Sequence, residues 1–372
     1  MKKRLAVLLS GGAVVLAACS PGHGARPSLV AGDSGAPSTS TSTSASSSGS
    51  EPGPSSAAPP TTPQPTSLVK PPAVQPPPAT GTPAPAGTPG WLLTAGNTGL
   101  AAHGLSCDSL PLYKGGDAPP AGAVISGVRI ETSLTLFAGD ITIEKSCVRP
   151  NQLNEGSHIV TTNGPCEDSC QVTGSPVTIR DSEIDGSKLS ATTIAKSCAF
   201  LGVATLQRNY VHGMGSGICF FNTGKTLDAV AEGNYVTKLR AGGDSHNDGA
   251  TVRDFPTGSN PERRLVFRNN RIDCSTGNDT GAMFIQTYGG DIDNVTLEGN
   301  LLEGGGYNLG LEAGFGNKYG RNMRAVDNRF NSTGWGASYV TDKGLGYKWA
   351  EWRDNFANNP GVAENEGQAV SP

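Results

Sequence analysis

The chain has 372 residues, with 51 Gly, 27 Pro, only 16% charged residues and 6% aromatic residues. That composition excludes a coiled coil or helical bundle, which would be rich in charged and Leu/Ala-type helix formers. The net charge of -4 argues against a nucleic-acid binder.

The first segment reads as an address. Lys2, Lys3 and Arg4 are followed by an apolar run, Leu5 to Ala18, too short to span a bilayer as a stable helix. Residues 1–18 are therefore expected to be a signal peptide. Leu16-Ala17-Ala18-Cys19 resembles the lipobox of bacterial lipoproteins, which implies cleavage before Cys19 and lipidation of that residue. The resulting expectation is an exported lipoprotein on the outer face of the cytoplasmic membrane or in the cell wall, anchored and not spanning. Residues 19–90 are mostly Ser, Thr, Pro, Ala and Gly with almost no large apolar residues, and hold 17 of the 27 prolines between Pro21 and Pro89. Such a stretch buries too little apolar surface to offset its ordering entropy, so a disordered tether is expected.

Residues 91–372 carry the fold. Removing the five basic and two acidic residues before Trp91 leaves this part with 23 basic and 30 acidic residues, a net of -7, and 40 Gly. An internal repeat organises it. Ile141 to Val148 has the same pattern as Val177 to Ile184, Ala204 to Val211, Ala229 to Val236, Leu265 to Ile272, Val295 to Leu302 and Met323 to Phe330. In each, a period-2 stretch leads to one Ser or Asn (Ser146, Ser182, Asn209, Asn234, Asn270, Asn300, Asn328) and then to a second short strand. The spacings between those residues are 36, 27, 25, 36, 30 and 28, so constant strands are joined by variable loops. A third strand follows a Gly-rich loop, as in Gly217 to Phe221 and Gly249 to Arg253. Three strands per coil of about thirty residues leave no room for a crossover helix. The pattern predicts an all-β, single-stranded right-handed parallel β-helix whose Asn residues form a hydrogen-bonded ladder and perform no chemistry.

These repeats, with Asn97-Thr98-Gly99-Leu100 upstream and Ser245 to Gly249 within, resemble the pectate-lyase-like β-helix superfamily and its secreted actinobacterial members. The resemblance covers roughly Gly96 to Phe356. It implies carbohydrate polymers as ligands and a substrate lying along the outer face of one parallel sheet.

Seven cysteines follow Cys19. Cys166 and Cys170 would close a small loop, and Cys198 and Cys219, 21 residues apart, would bridge neighbouring coils. Cys107 with Cys147 would clip the N-terminal cap, leaving Cys274. Cys166-x3-Cys170 has no matching second half and the His residues are scattered, which argues against zinc. Ca2+-dependent pectate lyases carry an acidic cluster on the sheet; Asp244 and Asp248 are too few to establish one, so the metal stays unassigned.

The sharpest chemical cluster runs from Lys238 through Arg240, Asp244, His246 and Asn247 to Asp248, leading into the strand that ends at Phe255. Alternation points Ala250 and Val252 into the core, matching Ile218/Phe220 and Ala282/Phe284 in adjacent coils, and points Thr251 and Arg253 outward. Asp248 lies at the loop-to-strand junction, from which glycosidases of the superfamily present a catalytic Asp, and His246 is placed to tune it or hold substrate. Arg253 and Glu312 fall in one outward row two coils apart, with about 10 Å between Cα atoms. Asp248, His246, Arg253 and Glu312 are therefore the catalytic candidates. Lys238, Arg240, Asp244, Asn247, Gln286, Tyr288, Tyr307 and Asn308 are the substrate-binding candidates, with Asp254 and Asp279 nearby. A purely structural role competes with each: His-Asn-Asp-Gly suits a turn, and Arg253 and Glu312 suit an exposed salt-bridge row.

Polygalacturonase-type hydrolases carry an adjacent Asp pair and a Gly-His-Gly where this chain has Asn278-Asp279-Thr280 and Gly305-Gly306-Tyr307, so the resemblance stops short of that mechanism. The expected function is cleavage of an extracellular polysaccharide by β-elimination or hydrolysis by a monomer held through a lipid anchor. The alternative is a non-catalytic glycan-binding or wall-adhesion protein, using Tyr288, Tyr307, Trp335 and Tyr347 as stacking platforms.

Overall fold

The computed structural model describes residues 81–164, 175–240, 247–258, 260–276, 279–314, 320–332, 334–341 and 348–372. Residues 1–80, Cys19 among them, and Cys166, Cys170, Asp244, His246 and Tyr347 lie outside the described residues.

Each repeat places its first strand in sheet I, its second in sheet II and its third in sheet III. Among the described residues, sheet I has nine strands, from Val124–Ser126 to Glu351–Arg353. Sheet II has ten, from Arg129–Ile130 to Glu366–Ala369, and sheet III eight, from Leu134–Thr135 to Gly336–Thr341. Neighbouring strands pair in parallel, with one exception: Glu366–Ala369 turns back antiparallel on Phe356–Asn358 and closes sheet II. The chain thus winds as a parallel β-helix.

The core follows from the period of two. Ile143, Ile179, Leu206, Ala231, Phe267, Leu297 and Ala325 share one register position along sheet I. All are at most 1% exposed, one inward column of the stack.

Between sheets I and II the chain turns on a single left-handed residue: φ is 52° at Asp181, 54° at Arg208, 55° at Asn269, 55° at Asp327 and 66° at Gly233. The residue after each such corner is the ladder residue. Asn234 Oδ1 accepts from the N–H of Asn209 (3.0 Å) and from its Nδ2 (3.0 Å), and Asn270, Asn300, Asn328 and Asn355 repeat this coil by coil. Each Nδ2 also donates to a carbonyl of the preceding coil, as Asn270 does to Ala231 at 2.8 Å. A non-glycine left-handed corner costs about 1–2 kcal/mol, and the ladder offsets it. Asn355 adds a rung beyond Asn328; in sequence it is masked by the charged and aromatic Glu351-Trp352-Arg353 before it.

The folded part begins ahead of Trp91. Gly81 and Ala84 N–H groups donate to the carbonyls of Gly96 and Asn97, so residues 81–90 pack with the fold, ahead of the boundary expected at Trp91. From Trp91 to Cys107 the chain runs backward along the corner between sheets I and II. The Trp91 ring lies 4.3 Å from the Arg329 guanidinium, and the Arg271 Nη1 donates to Leu93 O at 3.0 Å. Gly99 N–H then donates to Arg208 O at 2.8 Å, and His103 meets Asp181 at 3.4 Å. The strap ends in a disulfide from Cys107 to Cys147, with Cα atoms 5.3 Å apart. Gly90 must be glycine, since a Cβ there would lie 2.1 Å from Asn270 O.

Cys198 and Cys219 form a second disulfide within sheet III, with Cα atoms 6.1 Å apart. Cys274 is buried in the core. Beside the second disulfide, His158 accepts the Cys198 N–H at Nδ1 (3.1 Å), and burial lowers its pKa from 6.5 to about 4. A neutral buried His stabilises the fold above the unfolded pKa and loses that contribution as pH falls, because the unfolded chain takes up the proton first. The protein is therefore expected to lose about 3 kcal/mol between pH 6.5 and 4 from this group. Chemical unfolding at both pH values, repeated on His158→Gln, checks it; an unchanged pH slope in the variant would exclude His158 as the cause.

Candidate functional site

The outward face of sheet III gathers Arg253, Gln286, Tyr288, Tyr307 and Glu312 of the residues singled out in sequence. Its strands Asn247–Val252, Asp279–Gln286, Tyr307–Glu312 and Gly336–Thr341 are successive neighbours. Gln286, Glu312 and Thr341 share a register position, and Arg253 directly follows Val252, which pairs with Ile285. Arg253 Nη1 donates to Gln286 Oε1, Gln286 Nε2 donates to Glu312 Oε2, and the Tyr339 hydroxyl donates to Glu312 Oε1 at 2.7 Å. The Arg253–Glu312 row is real, but Gln286 joins its ends in place of a direct ion pair.

Beside it runs a second row that sequence reasoning missed. Thr251, Phe284, Gly310 and Tyr339 occupy one register position. The expected inward pair Ala282/Phe284 is therefore off by one: Met283 and Ile285 lie opposite Ala250 and Val252. The cause is a bulge at Asn247/Asp248, where Asn247 pairs with Asp279 but Asp248 with Gly281. One extra residue exchanges the two faces of everything after it. Phe284 is thereby placed 6.0 Å from the Arg253 guanidinium, with Phe221 at 5.5 Å and Tyr288 at 5.6 Å around the same cation. Gly310 makes room for this: a Cβ there would come within 2.8 Å of both the Phe284 and Tyr339 rings. A lone glycine in a strand is the sequence signal for such close approach.

The face is rich in aromatic rings. Tyr307 lies 4.5 Å from Tyr339 and 5.7 Å from Trp335. Trp335 sits over Gly306, where a Cβ would meet its ring at 2.8 Å, and its main-chain N–H donates to Gly306 O at 2.6 Å. Trp335 is 79% exposed and Tyr288 70%, both with rings open to solvent. Trp335 precedes its strand and Tyr288 follows its own, two coils earlier, so strand rise and spacing put them roughly 25 Å apart, diagonally across the sheet.

Asp248 is buried, its N–H 3.4 Å from the Ser216 hydroxyl. Burial, the bond to Glu312, and the nearby Asp248 and Tyr307 push the Tyr339 hydroxyl far above its ordinary range, so it stays a proton donor. Glu312 alone of the two carboxylates accepts the Tyr339 hydroxyl; Asp248 has the strand parity of the core residues Ala250 and Val252.

Other candidates are placed differently. Arg240 directs its guanidinium to the carbonyls of Gly186, Leu189 and Gly213, all in loops of earlier coils. Asn308 is fully buried and donates to Gly304 O and Asn331 O, and Asn247 is also fully buried. Lys238 is exposed at a left-handed corner, φ 53°. Asp279 opens its strand opposite Asn247. Among the described residues, the one group of three or more metal-type ligands within 4.8 Å is Cys107, Glu183 and Asp185, away from sheet III. Cys107 is held in its disulfide and His212 contacts both carboxylates, so that group does not fit a metal.

Comparison with protein-family models, curated proteins and solved structures finds no match for this chain.

Proposed function

We propose that the outward face of sheet III binds an extracellular glycan chain. The carrying observation is the pair of exposed rings, Trp335 and Tyr288, set diagonally across a connected polar row of Arg253, Gln286 and Glu312. Sugars present C–H faces that stack on aromatic rings and hydroxyls that exchange hydrogen bonds with such a row. The resemblance to the pectate-lyase-like superfamily supports the same reading, as does the lipobox-like Leu16-Ala17-Ala18-Cys19, which we read as an export and anchoring signal.

Cleavage of the bound chain is the second reading. It is favoured by Glu312, a carboxylate on the outward face bonded to both Gln286 and the Tyr339 hydroxyl, since glycoside hydrolysis needs a carboxyl group beside the bound sugar.

Affinity electrophoresis of the protein against neutral and acidic polysaccharides tests binding. Trp335→Ala, at an exposed ring, is expected to weaken the best ligand about tenfold or more with no change in unfolding temperature. Unchanged affinity in that variant sinks the binding reading. New reducing ends, or ultraviolet-absorbing unsaturated product, lost in Glu312→Gln, would establish cleavage.

A further inference from the structure

Beyond Tyr288 the loops that leave sheet III enclose a cleft of about 430 Å3, distinct from the aromatic face. Its walls carry Asp254, Asp291, Asp293, Lys225 and Arg321. Glycines 224, 258, 289 and 290 line the rest; Gly224 and Gly258 have φ of 72° and 55°, and a Cβ at Gly290 would press on Asp254 at 3.0 Å.

The cleft is a built structure. Asp254 accepts the N–H groups of Asn222 (2.6 Å) and Thr223 (3.1 Å), fixing one wall. Asp293 accepts from Arg321 Nε and Nη2 at 2.9 and 3.0 Å and from the Thr257 hydroxyl at 3.1 Å, fixing the other. Behind both, the fully buried Arg263 donates to the carbonyls of Thr223, Gly224, Leu227 and Pro256. The cleft also adjoins the aromatic face: the Gly289 and Gly290 N–H groups, directly after Tyr288, donate to Arg253 O at 2.8 and 3.2 Å.

The charges select the ligand. Among the described residues, the face and cleft together hold four carboxylates (Glu312, Asp254, Asp291, Asp293) against three cations (Arg253, Lys225, Arg321). A polyanion would meet net negative charge, whereas closely spaced donors and acceptors of both signs suit a ligand that is uncharged and polyhydroxylated. We propose that this cleft is a saccharide subsite continuous with sheet III and that the glycan is a neutral one. This rests on the glycan-binding reading of sheet III and adds to it where the chain ends up and what charge it carries.

Titration calorimetry on the full chain tests it, using cello-, manno- and xylo-oligosaccharides of two to eight units as neutral probes and oligogalacturonate and hyaluronate fragments as acidic ones. The best neutral probe of six to eight units is expected to bind at least tenfold tighter than any acidic one. Lys225→Ala combined with Asp291→Ala should weaken that probe about tenfold, and should multiply the loss caused by Trp335→Ala. Tighter binding of the acidic probes, or full affinity in the cleft variant, would overturn the inference while leaving the sheet III reading intact. Full affinity in Trp335→Ala would instead remove the sheet III reading itself. Lys225 is exposed, so Lys225→Ala alone serves if the double variant does not fold.

Discussion

Replacing Asn270 by alanine is expected to destabilise the protein by about 4 kcal/mol, although no reacting group is touched. The side chain removes four bonds at once. Its Oδ1 accepts from the N–H and the Nδ2 of Asn234, and its Nδ2 donates to Ala231 O and Asn300 Oδ1. All of these groups are buried where water does not reach, so the loss includes the desolvation of orphaned donors and acceptors. Asn270 also follows Asn269, held at φ 55°, a conformation the ladder helps to maintain. Asn151→Ala, at an exposed Asn bonded to Glu131, provides the contrast and should stay within about 0.5 kcal/mol. Urea unfolding of both variants decides; a loss at Asn270 no larger than at Asn151 would mean that the ladder adds nothing.

Arg263→Leu should have a comparable effect, about 4 kcal/mol, for a different reason. Arg263 is fully buried, with its guanidinium 3.8 Å from the Phe255 ring, and its bonds end on four main-chain carbonyls. Burial draws its pKa down to about 10, with Asp254 and Asp228 opposing, so the charge is kept at neutral pH. Leucine fills much of the volume but donates nothing, leaving those carbonyls without their cation. Arg263→Lys is expected to recover little, because one ammonium cannot reach sites that a planar fork spans. The measurement is thermal unfolding, with glycan affinity as the second readout since the cleft walls hang on this residue. A lysine variant of full stability would show that charge alone, not the fork, is what the loops require.

The architecture was legible because one feature recurs at nearly every coil. A period-2 stretch ending in Ser or Asn forces a corner and a rung, and that local rule needs no knowledge of the loops between. The site was legible only in part. The Arg253 and Glu312 ends of the row follow from alternation and could be placed from the strands alone. Phe284 could not, because the bulge at Asn247/Asp248 shifts the face by one and leaves no mark in the alternation itself. Arg240 and Asn308 belong to residue types that contact sugars, yet neighbouring carbonyls claim them first: loop carbonyls for Arg240, and the strand-end carbonyls of Gly304 and Asn331 for Asn308. The cleft is invisible for the same reason: Lys225, Asp254, Asp291 and Arg321 lie nearly a hundred residues apart at the extremes.

The strap from Trp91 to Cys107 changes how such a molecule comes apart. In a plain solenoid each coil touches only its neighbours, so the ends can peel while the middle holds. Here one segment grips the coils of Arg329, Arg271, Arg208 and Asp181 in turn and is riveted to Cys147 at the far end. Its docking surface exists only once those coils are stacked, so it seats late in folding and reports that the stack is complete. Peeling a terminal coil then also lifts contacts several coils away, which turns a one-dimensional array into a unit that opens all together.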